Sequence, residues 1–164
     1  MSTIRAISAQ AFRDLIDYLS EVDRPVILCM VGDHAPSIIK QIPSETDRSS
    51  AREQMDQRVI PYVIWSNYGA DLSACPEFTN TFGLVPEVLR AAGLPLSAYF
   101  RALLDMKEEY PVFVSNGLVM DAEGNILSYD PADPAFDSLT EYLYMEYNAI
   151  TAGEDYREDL FLPQ

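Results

Sequence analysis

The sequence predicts an α/β fold with a mostly parallel or mixed sheet, flanking helices, and a C-terminal β-hairpin followed by a helix. Two observations carry this prediction. Residues 25–31 and 59–68 are short apolar runs rich in β-branched and aromatic side chains, which is typical of strands buried on both faces. Several other segments repeat apolar residues at the three-to-four spacing of amphipathic helices.

Composition and charge limit the domain organisation and the function classes. The chain has 164 residues, of which 48% are apolar or aromatic, so we expect residues 1–164 to form a single unit with a real core. There are 11 basic and 26 acidic residues, a formal net charge of -15, which repels nucleic-acid phosphates. Nucleic acid is therefore excluded as a partner.

Apolar spacing and cap residues predict four helices. The first covers residues 9–21 after an N-cap at Ser8, and the second covers 84–92 with Gly93 as its stop. The third covers 98–109 after Ser97, and the last covers 136–150. Residues 118–121 and 126–129, joined through Gly124, predict the hairpin.

Three segments are predicted to lie outside the main elements. Residues 37–42 suit a short helical turn. Residues 44–58 change sharply to polar and charged side chains, which indicates an exposed loop with a weak helix near 51–57. Residues 151–164 form an acidic tail that either folds back or frays.

The strongest candidate site follows the first strand. Gly32 is expected to turn the chain out of the sheet through a backbone conformation closed to other residues, presenting Asp33 and His34 beyond the carboxyl end of the strand. A carboxylate and an imidazole are good ligands for a divalent cation, and His34 is the single histidine of the chain. A general base oriented by a carboxylate and a merely polar strand end stay open as alternatives. The metal site is favoured over the general base because adjacent side chains on a turn are expected to diverge and so rarely hydrogen-bond to each other. Both can still reach a single ion bound at the edge of the sheet.

The second strand ends in a similar way. Asn67 and Tyr68 follow it, and if the two strands end at one edge of the sheet, both side chains line the same crevice as Asp33 and His34 and can bind substrate. The alternative is an Asx-type turn with Tyr68 packed on the core.

A catalytic cation needs about three or more protein ligands and an open position, but the sequence offers no second histidine and no CxxC motif. It also contains no G-x-S-x-G, P-loop or H-E-x-x-H motif, so no catalytic residue is predicted. From the residues alone, the sequence predicts half of a metal site.

Four ordered segments carry a family resemblance. Residues 31–36 (Val-Gly-Asp-His-Ala-Pro) and 61–68 (Pro-Tyr-Val-Ile-Trp-Ser-Asn-Tyr) resemble the C-terminal part of the sulfatase-like catalytic domain of lipoteichoic acid synthases and related phosphoglycerol transferases. These enzymes belong to the alkaline phosphatase superfamily. Residues 89–99 and 141–148 resemble the segments that follow in its bacterial members, so the resemblance covers nearly the whole chain.

The resemblance implies a partial alkaline-phosphatase/sulfatase-like sandwich that corresponds to the C-terminal portion of the domain. In the family a divalent cation, often manganese, is held by an upstream acidic residue, a threonine nucleophile, and the aspartate and histidine that match Asp33 and His34. The nucleophile precedes the matched region, so we expect this chain to be inactive alone and to need the N-terminal half of the domain. The implied substrate is a phosphoglycerol lipid or another phosphate or sulfate ester. The implied location is the extracellular face of a bacterial membrane as part of a longer chain, since no targeting signal is visible in this segment.

Two other interpretations stay open. The chain is either a non-catalytic acidic α/β module that binds a protein partner, or an unrelated metalloenzyme whose further ligands are aspartates and glutamates of this chain. Three carboxylates within metal reach of His34 would favour the latter.

Overall fold

The structure is a computed structural model that describes residues 2–34, 50–151 and 153–164, with side chains from residue 7 onward. The predicted helical turn at 37–42 and the first part of the predicted loop, 44–49, lie outside the described residues. Five helices and five strands follow along the described chain: α1 Ser2–Ser20, β1 Ile27–Val31, α2 Ala51–Asp56, β2 Tyr62–Ser66, α3 Leu84–Ala91, α4 Ala98–Glu109, β3 Val112–Phe113, β4 Leu118–Met120, β5 Ile126–Ser128 and α5 Asp137–Thr151.

The predicted α/β class is confirmed, with helices around two small sheets. The predicted strand direction is wrong for the described residues, because every strand pair among them is antiparallel. Strand β1 pairs with β2, placing Ile27 opposite Ser66 and Val31 opposite Tyr62, and β3, β4 and β5 form the second sheet in that order. An apolar run identifies a strand but not its direction, which long-range pairing decides.

The β1–β2 ribbon is only partly covered, so the prediction that both strands are buried on both faces is wrong within the described chain. Met30, Val31 and Val63 are 37%, 44% and 40% exposed. Helix α1 has no buried side chain between residues 7 and 20, and its Leu15 is 41% exposed. This part of the molecule therefore presents an apolar surface to solvent.

The buried core lies in the C-terminal half. Helices α4 and α5 pack together beside the second sheet, and the Tyr142 side chain is fully buried between them. Its hydroxyl group lies 3.1 Å from that of Tyr99 and donates to Glu146 Oε1 at 2.6 Å, so the buried phenol is hydrogen-bonded. The core side chains are Leu103, Met106, Tyr110, Val119, Phe136, Leu139 and Tyr142.

A buried ion pair joins α3 to α4. Glu87 and Lys107 are 5% and 7% exposed, and their Oε1 and Nζ atoms lie 3.1 Å apart. Arg90 donates to the second carboxylate oxygen of Glu87 from the same helix. Lys107 passes over Gly83, where even a methyl group would lie 2.8 Å from the lysine chain. The missing side chain at position 83 therefore makes room for the buried lysine.

Most predicted helix bounds agree with the structure. Ser97 caps α4, accepting a hydrogen bond from Phe100 N at 3.2 Å, and Gly93 ends α3 with φ 67°. Helix α1 begins at Ser2, so Ser8 is not its N-cap as predicted. The predicted weak helix is α2, capped by Ser50. Its Met55 is buried, so this part of the predicted exposed loop is packed.

The acidic tail folds back on α4, which decides between the two alternatives left by the sequence. Phe161 packs against Tyr99 with ring centroids 5.1 Å apart, and Arg101 donates to Gln164 Oε1 at 3.0 Å. No helix in the described part of the chain has both the length and the apolar character needed to cross a lipid bilayer.

Candidate functional site

Gly32 forms the junction between β1 and the segment that leads into β2. Its N–H group donates to Pro61 O at 2.8 Å. A Cβ atom at position 32 would lie 3.1 Å from Pro61 Cδ, so the glycine permits a close approach of the two backbones. Gly32 is not among the glycines with positive φ, and the predicted reason for a glycine here, a conformation closed to other residues, is wrong.

Asp33 and His34 lie directly beyond this junction and face solvent. Their side chains are 92% and 76% exposed, and Asp33 Oδ2 lies 3.4 Å from His34 Nε2. The expectation that the two adjacent side chains diverge is therefore wrong. Two ligand atoms about 2.1 Å from one ion stand about 3.0 Å apart at an octahedral angle and about 3.4 Å apart at a tetrahedral angle. The spacing of this oxygen and nitrogen thus fits a shared divalent cation.

The pair is not completed by other ligands among the described residues. Within 2–34, 50–151 and 153–164 there is no group of three or more His, Cys, Asp or Glu side chains that could hold a metal ion. A catalytic cation needs about three protein ligands. The described residues therefore fit one side of a metal site and lend no support to an independent metalloenzyme built from carboxylates of this chain.

Asn67 and Tyr68 lie at the other end of the ribbon from Asp33 and His34. The antiparallel register places the start of β2 beside the end of β1. Residues that follow β2 and residues that follow β1 therefore lie beyond opposite ends of the ribbon, separated by more than the roughly 13 Å length of a five-residue strand. The prediction that all four side chains line one crevice is wrong, because it assumed that both strands end at the same edge.

The Asn67 side chain instead ties α1 and its following turn to β2. Its Oδ1 accepts from Val26 N at 2.9 Å, and its Nδ2 donates to Leu19 O and to Arg24 O, each at 3.0 Å. A longer contact of 3.4 Å joins Nδ2 to Val22 O. These bonds reach residues more than forty positions away, so the predicted alternative of an Asx-type turn at Asn67 is also wrong. The local turn is made by Ser66, whose Oγ accepts from Tyr68 N at 3.2 Å. Tyr68 is 45% exposed and is not packed on the core.

A cavity of about 560 Å³ adjoins Asp33. One wall consists of residues 58–62, which lead into β2, and the opposite wall consists of residues 77–81 and the edge of β3. Asn80 in that wall is buried. With its amide group oriented so that both atoms are paired, its Nδ2 donates to Phe113 O at 3.0 Å and its Oδ1 accepts from Phe113 N at 3.1 Å. The asparagine thus fixes the wall to β3.

A second cavity of about 500 Å³ continues the first. The two share Met55, Val59, Glu77, Phe78 and Val112, and the second extends to the β4–β5 turn at residues 121–124. We call the two together the Asp33 groove. Val59 and Phe78 are 60% and 53% exposed, so much of its lining is accessible apolar surface. A concave groove that combines apolar surface with polar groups is typical of a small-molecule site, and here seven of the lining residues are charged: Asp33, Arg52, Asp56, Arg58, Glu77, Asp121 and Glu123.

Tyr62 lines the first cavity of the groove. Its hydroxyl group donates to Pro76 O, which fixes the loop before residue 77 against β2. Burial, followed by the nearby Cys75 thiol and Glu87 carboxylate, raises the pKa of Tyr62 above its usual value. The phenol therefore stays protonated and serves as a hydrogen-bond donor.

The sequence interpretation missed the wall at residues 77–81 and the buried Lys107. The wall carries no periodic pattern, and it becomes part of a site only through contacts with β2 and β3. The burial of Lys107 could have been predicted from helical spacing. It lies four residues after Leu103, on the face of α4 that also carries Met106 and Tyr110, and all of these residues are buried.

Comparison with known proteins identifies one family. A sulfatase family model matches residues 8–94, which is more than half of the chain and includes most of α1, all of β1, α2, β2 and α3, and the Asp33–His34 pair. No curated protein and no solved structure matches the chain. Sulfatase domains generally depend on a divalent metal.

Proposed function

The chain belongs to the sulfatase family, and we propose that Asp33 and His34 form one side of its divalent-cation site, in a metal-dependent phosphoglycerol transferase or sulfatase-like hydrolase. The supporting observation is the 3.4 Å separation of Asp33 Oδ2 and His34 Nε2, on exposed side chains beside a groove. Manganese is the proposed ion. When bound, it would act as a Lewis acid on a phosphoryl or sulfuryl oxygen.

The remaining ligands and the nucleophile are proposed to come from residues other than those that the structure describes. Two protein ligands bind a cation weakly, because each missing ligand is replaced by water. We therefore propose that this chain alone binds manganese weakly and turns over no ester. The proposed substrate of the complete site is a phosphoglycerol lipid or a related phosphate or sulfate ester, as in lipoteichoic acid synthases. The proposed location is the outer face of a bacterial membrane.

The test of the cation site is manganese titration followed by electron paramagnetic resonance of the free ion. Asp33→Asn and His34→Gln should each lower the affinity at least several-fold. Asp105→Asn is the matched control, because it removes one exposed carboxylate from α4, far along the chain from the site. This control is needed because a net charge of -15 attracts cations generally.

Equal affinities for all three variants would contradict the metal assignment. A phosphodiesterase or sulfatase rate in the purified chain, abolished by His34→Ala, would contradict the proposed inactivity while supporting the site.

A second candidate function is a non-catalytic acidic module that binds a protein partner. It is favoured by the exposed Leu15, Met30, Val31 and Val63 side chains and by the β1–β2 ribbon, which has no third strand among the described residues. The proposed partner is a polypeptide with the nucleophile-bearing half of a sulfatase domain. Mixing the two should bury this surface and raise manganese affinity, and Val63→Asp should prevent both effects. If the mixed chains elute separately in size-exclusion chromatography, this second function is wrong.

A further inference from the structure

We propose that Arg58 is a substrate-binding residue that holds the anionic group of an ester in the Asp33 groove, with the organic part of the ester on the apolar wall. The inference deepens the proposed function, on which it rests for the assignment of Asp33 to the reactive end.

The size of the groove suits a small organic ester. Its first cavity has about 560 Å³, within the range of about 300–1,000 Å³ found for small-molecule sites. Asp33 lies in its lining, so a ligand that fills the cavity also reaches the end of β1. The second cavity, about 500 Å³, gives room for a longer organic group.

Arg58 supplies the positive charge that an anion needs in this acidic protein. It is the one basic residue among the described residues that line the first cavity. Its hydrogen bond goes to a backbone carbonyl, that of Gln54, and none of the described carboxylates pairs with it. Arg52, six residues earlier, is instead paired with Asp56 at 3.1 Å. The charge of Arg58 is therefore available to a ligand, and a guanidinium group can bind two oxygens of a phosphate or sulfate group at once.

The other lining residues determine what accompanies the anion. Met55, Val59 and Phe78 present aliphatic and aromatic surface to both cavities, which favours an ester with an apolar organic part. Carboxylates line both cavities and repel an anion: Asp33 and Glu77 in the first, and Asp56, Glu77, Asp121 and Glu123 in the second. Binding should therefore depend strongly on Arg58 and should tighten when a cation neutralises Asp33.

The experiment measures binding of phenyl phosphate and phenyl sulfate to the whole chain by isothermal titration calorimetry, with and without manganese. Arg58→Gln should weaken phenyl phosphate binding about 10-fold or more, because a charge-assisted pair is lost. Arg157→Gln, the matched control, should change it less than about 2-fold, since that guanidinium is paired with Asp159 at 2.8 Å and lines neither cavity. Phe78→Ala should weaken phenyl phosphate binding more than inorganic phosphate binding. The ratio of the phosphate to the sulfate affinity reports which oxyanion the site prefers.

Phenyl phosphate and phenyl sulfate binding that is unchanged in Arg58→Gln, or absent from the wild-type chain at millimolar concentration, would overturn the inference. Failure of the proposed function gives a different result. In that case, manganese binding does not depend on Asp33 and His34, whereas phenyl phosphate binding still depends on Arg58.

Discussion

Replacing Asn67 by alanine should detach α1 from the β1–β2 ribbon without affecting ligand binding at the Asp33 groove. The Asn67 side chain joins the backbone of residues 19–26 to the end of β2 through three hydrogen bonds of 2.9–3.0 Å and one of 3.4 Å. Helix α1 has no fully buried side chain between residues 7 and 20. The bond to Leu19 O holds the end of the helix itself, and the other bonds hold the turn that follows it.

The expected magnitude follows from these bonds. Each of the three shorter bonds contributes roughly 1 kcal/mol, as is typical of a net hydrogen bond in a protein. The bond to Arg24 O lies in an exposed position, where water can replace the lost donor. The free energy that holds α1 in place should therefore fall by about 2 kcal/mol, which increases opening of the helix by about 30-fold.

The assay is amide hydrogen exchange, read at the residues of α1 and, as an internal reference, at those of α4. Protection should fall in α1 and stay unchanged in α4. Asn67→Asp should have a similar effect, since it keeps the acceptor for Val26 N but loses the amide donor. Asn116→Ala is the control, because Asn116 makes one exposed side-chain bond, to Gln54. If Asn67→Ala leaves the amides of α1 protected but weakens phenyl phosphate binding, then Asn67 binds substrate and does not hold α1 in place.

Three further predictions concern stability, measured by urea denaturation. Gly32→Ala should destabilise the chain by about 1 kcal/mol, because its Cβ would lie 3.1 Å from the nearest proline ring atom. Glu87→Gln should lower the free energy of unfolding by about 3 kcal/mol, since it leaves Lys107 buried without its charged partner. Lys107→Met should lower it less, because Arg90 still pairs with Glu87. Burial, followed by the hydrogen bond to Glu146, raises the pKa of Tyr142, so the folded state keeps a proton that the unfolded state releases above about pH 10. Below pH 10 this group should leave the free energy of unfolding independent of pH, and above pH 10 the free energy of unfolding should decrease. In Tyr142→Phe the decrease above pH 10 should be smaller.

Each of these has an opposing outcome. A rise in the denaturation midpoint of Gly32→Ala would show that the backbones can separate without cost. Equal losses in Glu87→Gln and Lys107→Met would mean that Arg90 does not compensate. If the free energy of unfolding falls equally steeply with pH above pH 10 in the wild-type chain and in Tyr142→Phe, Tyr142 does not cause the loss of stability at alkaline pH.

The C-terminal half of the fold could be predicted because its elements are fixed by nearby residues. The bounds of α4 follow from the Ser97 cap and from apolar side chains that repeat every three or four positions. Gly93 and Gly124 have positive φ, and both were expected at chain turns. Local signals of this kind are present in the sequence itself.

The arrangement of the N-terminal half could not be predicted in the same way. The apolar runs at β1 and β2 identify strands, but their antiparallel pairing depends on contacts between residues more than thirty positions apart, such as Val31 and Tyr62. Asp33 and His34 were nevertheless found, because neighbours in sequence remain neighbours in space. Asn67 was misplaced, since its position relative to them follows from strand direction alone.

The space above Gly83 links two positions that are distant in the chain. Any larger residue at 83 would collide with the end of the Lys107 side chain, so we expect it to disturb the buried ion pair with Glu87. Among relatives of this chain, position 83 should therefore stay glycine wherever position 107 is lysine, and the two should change together. Covariation of positions 83 and 107 in aligned homologous sequences would then indicate that the residue before α3 packs against α4.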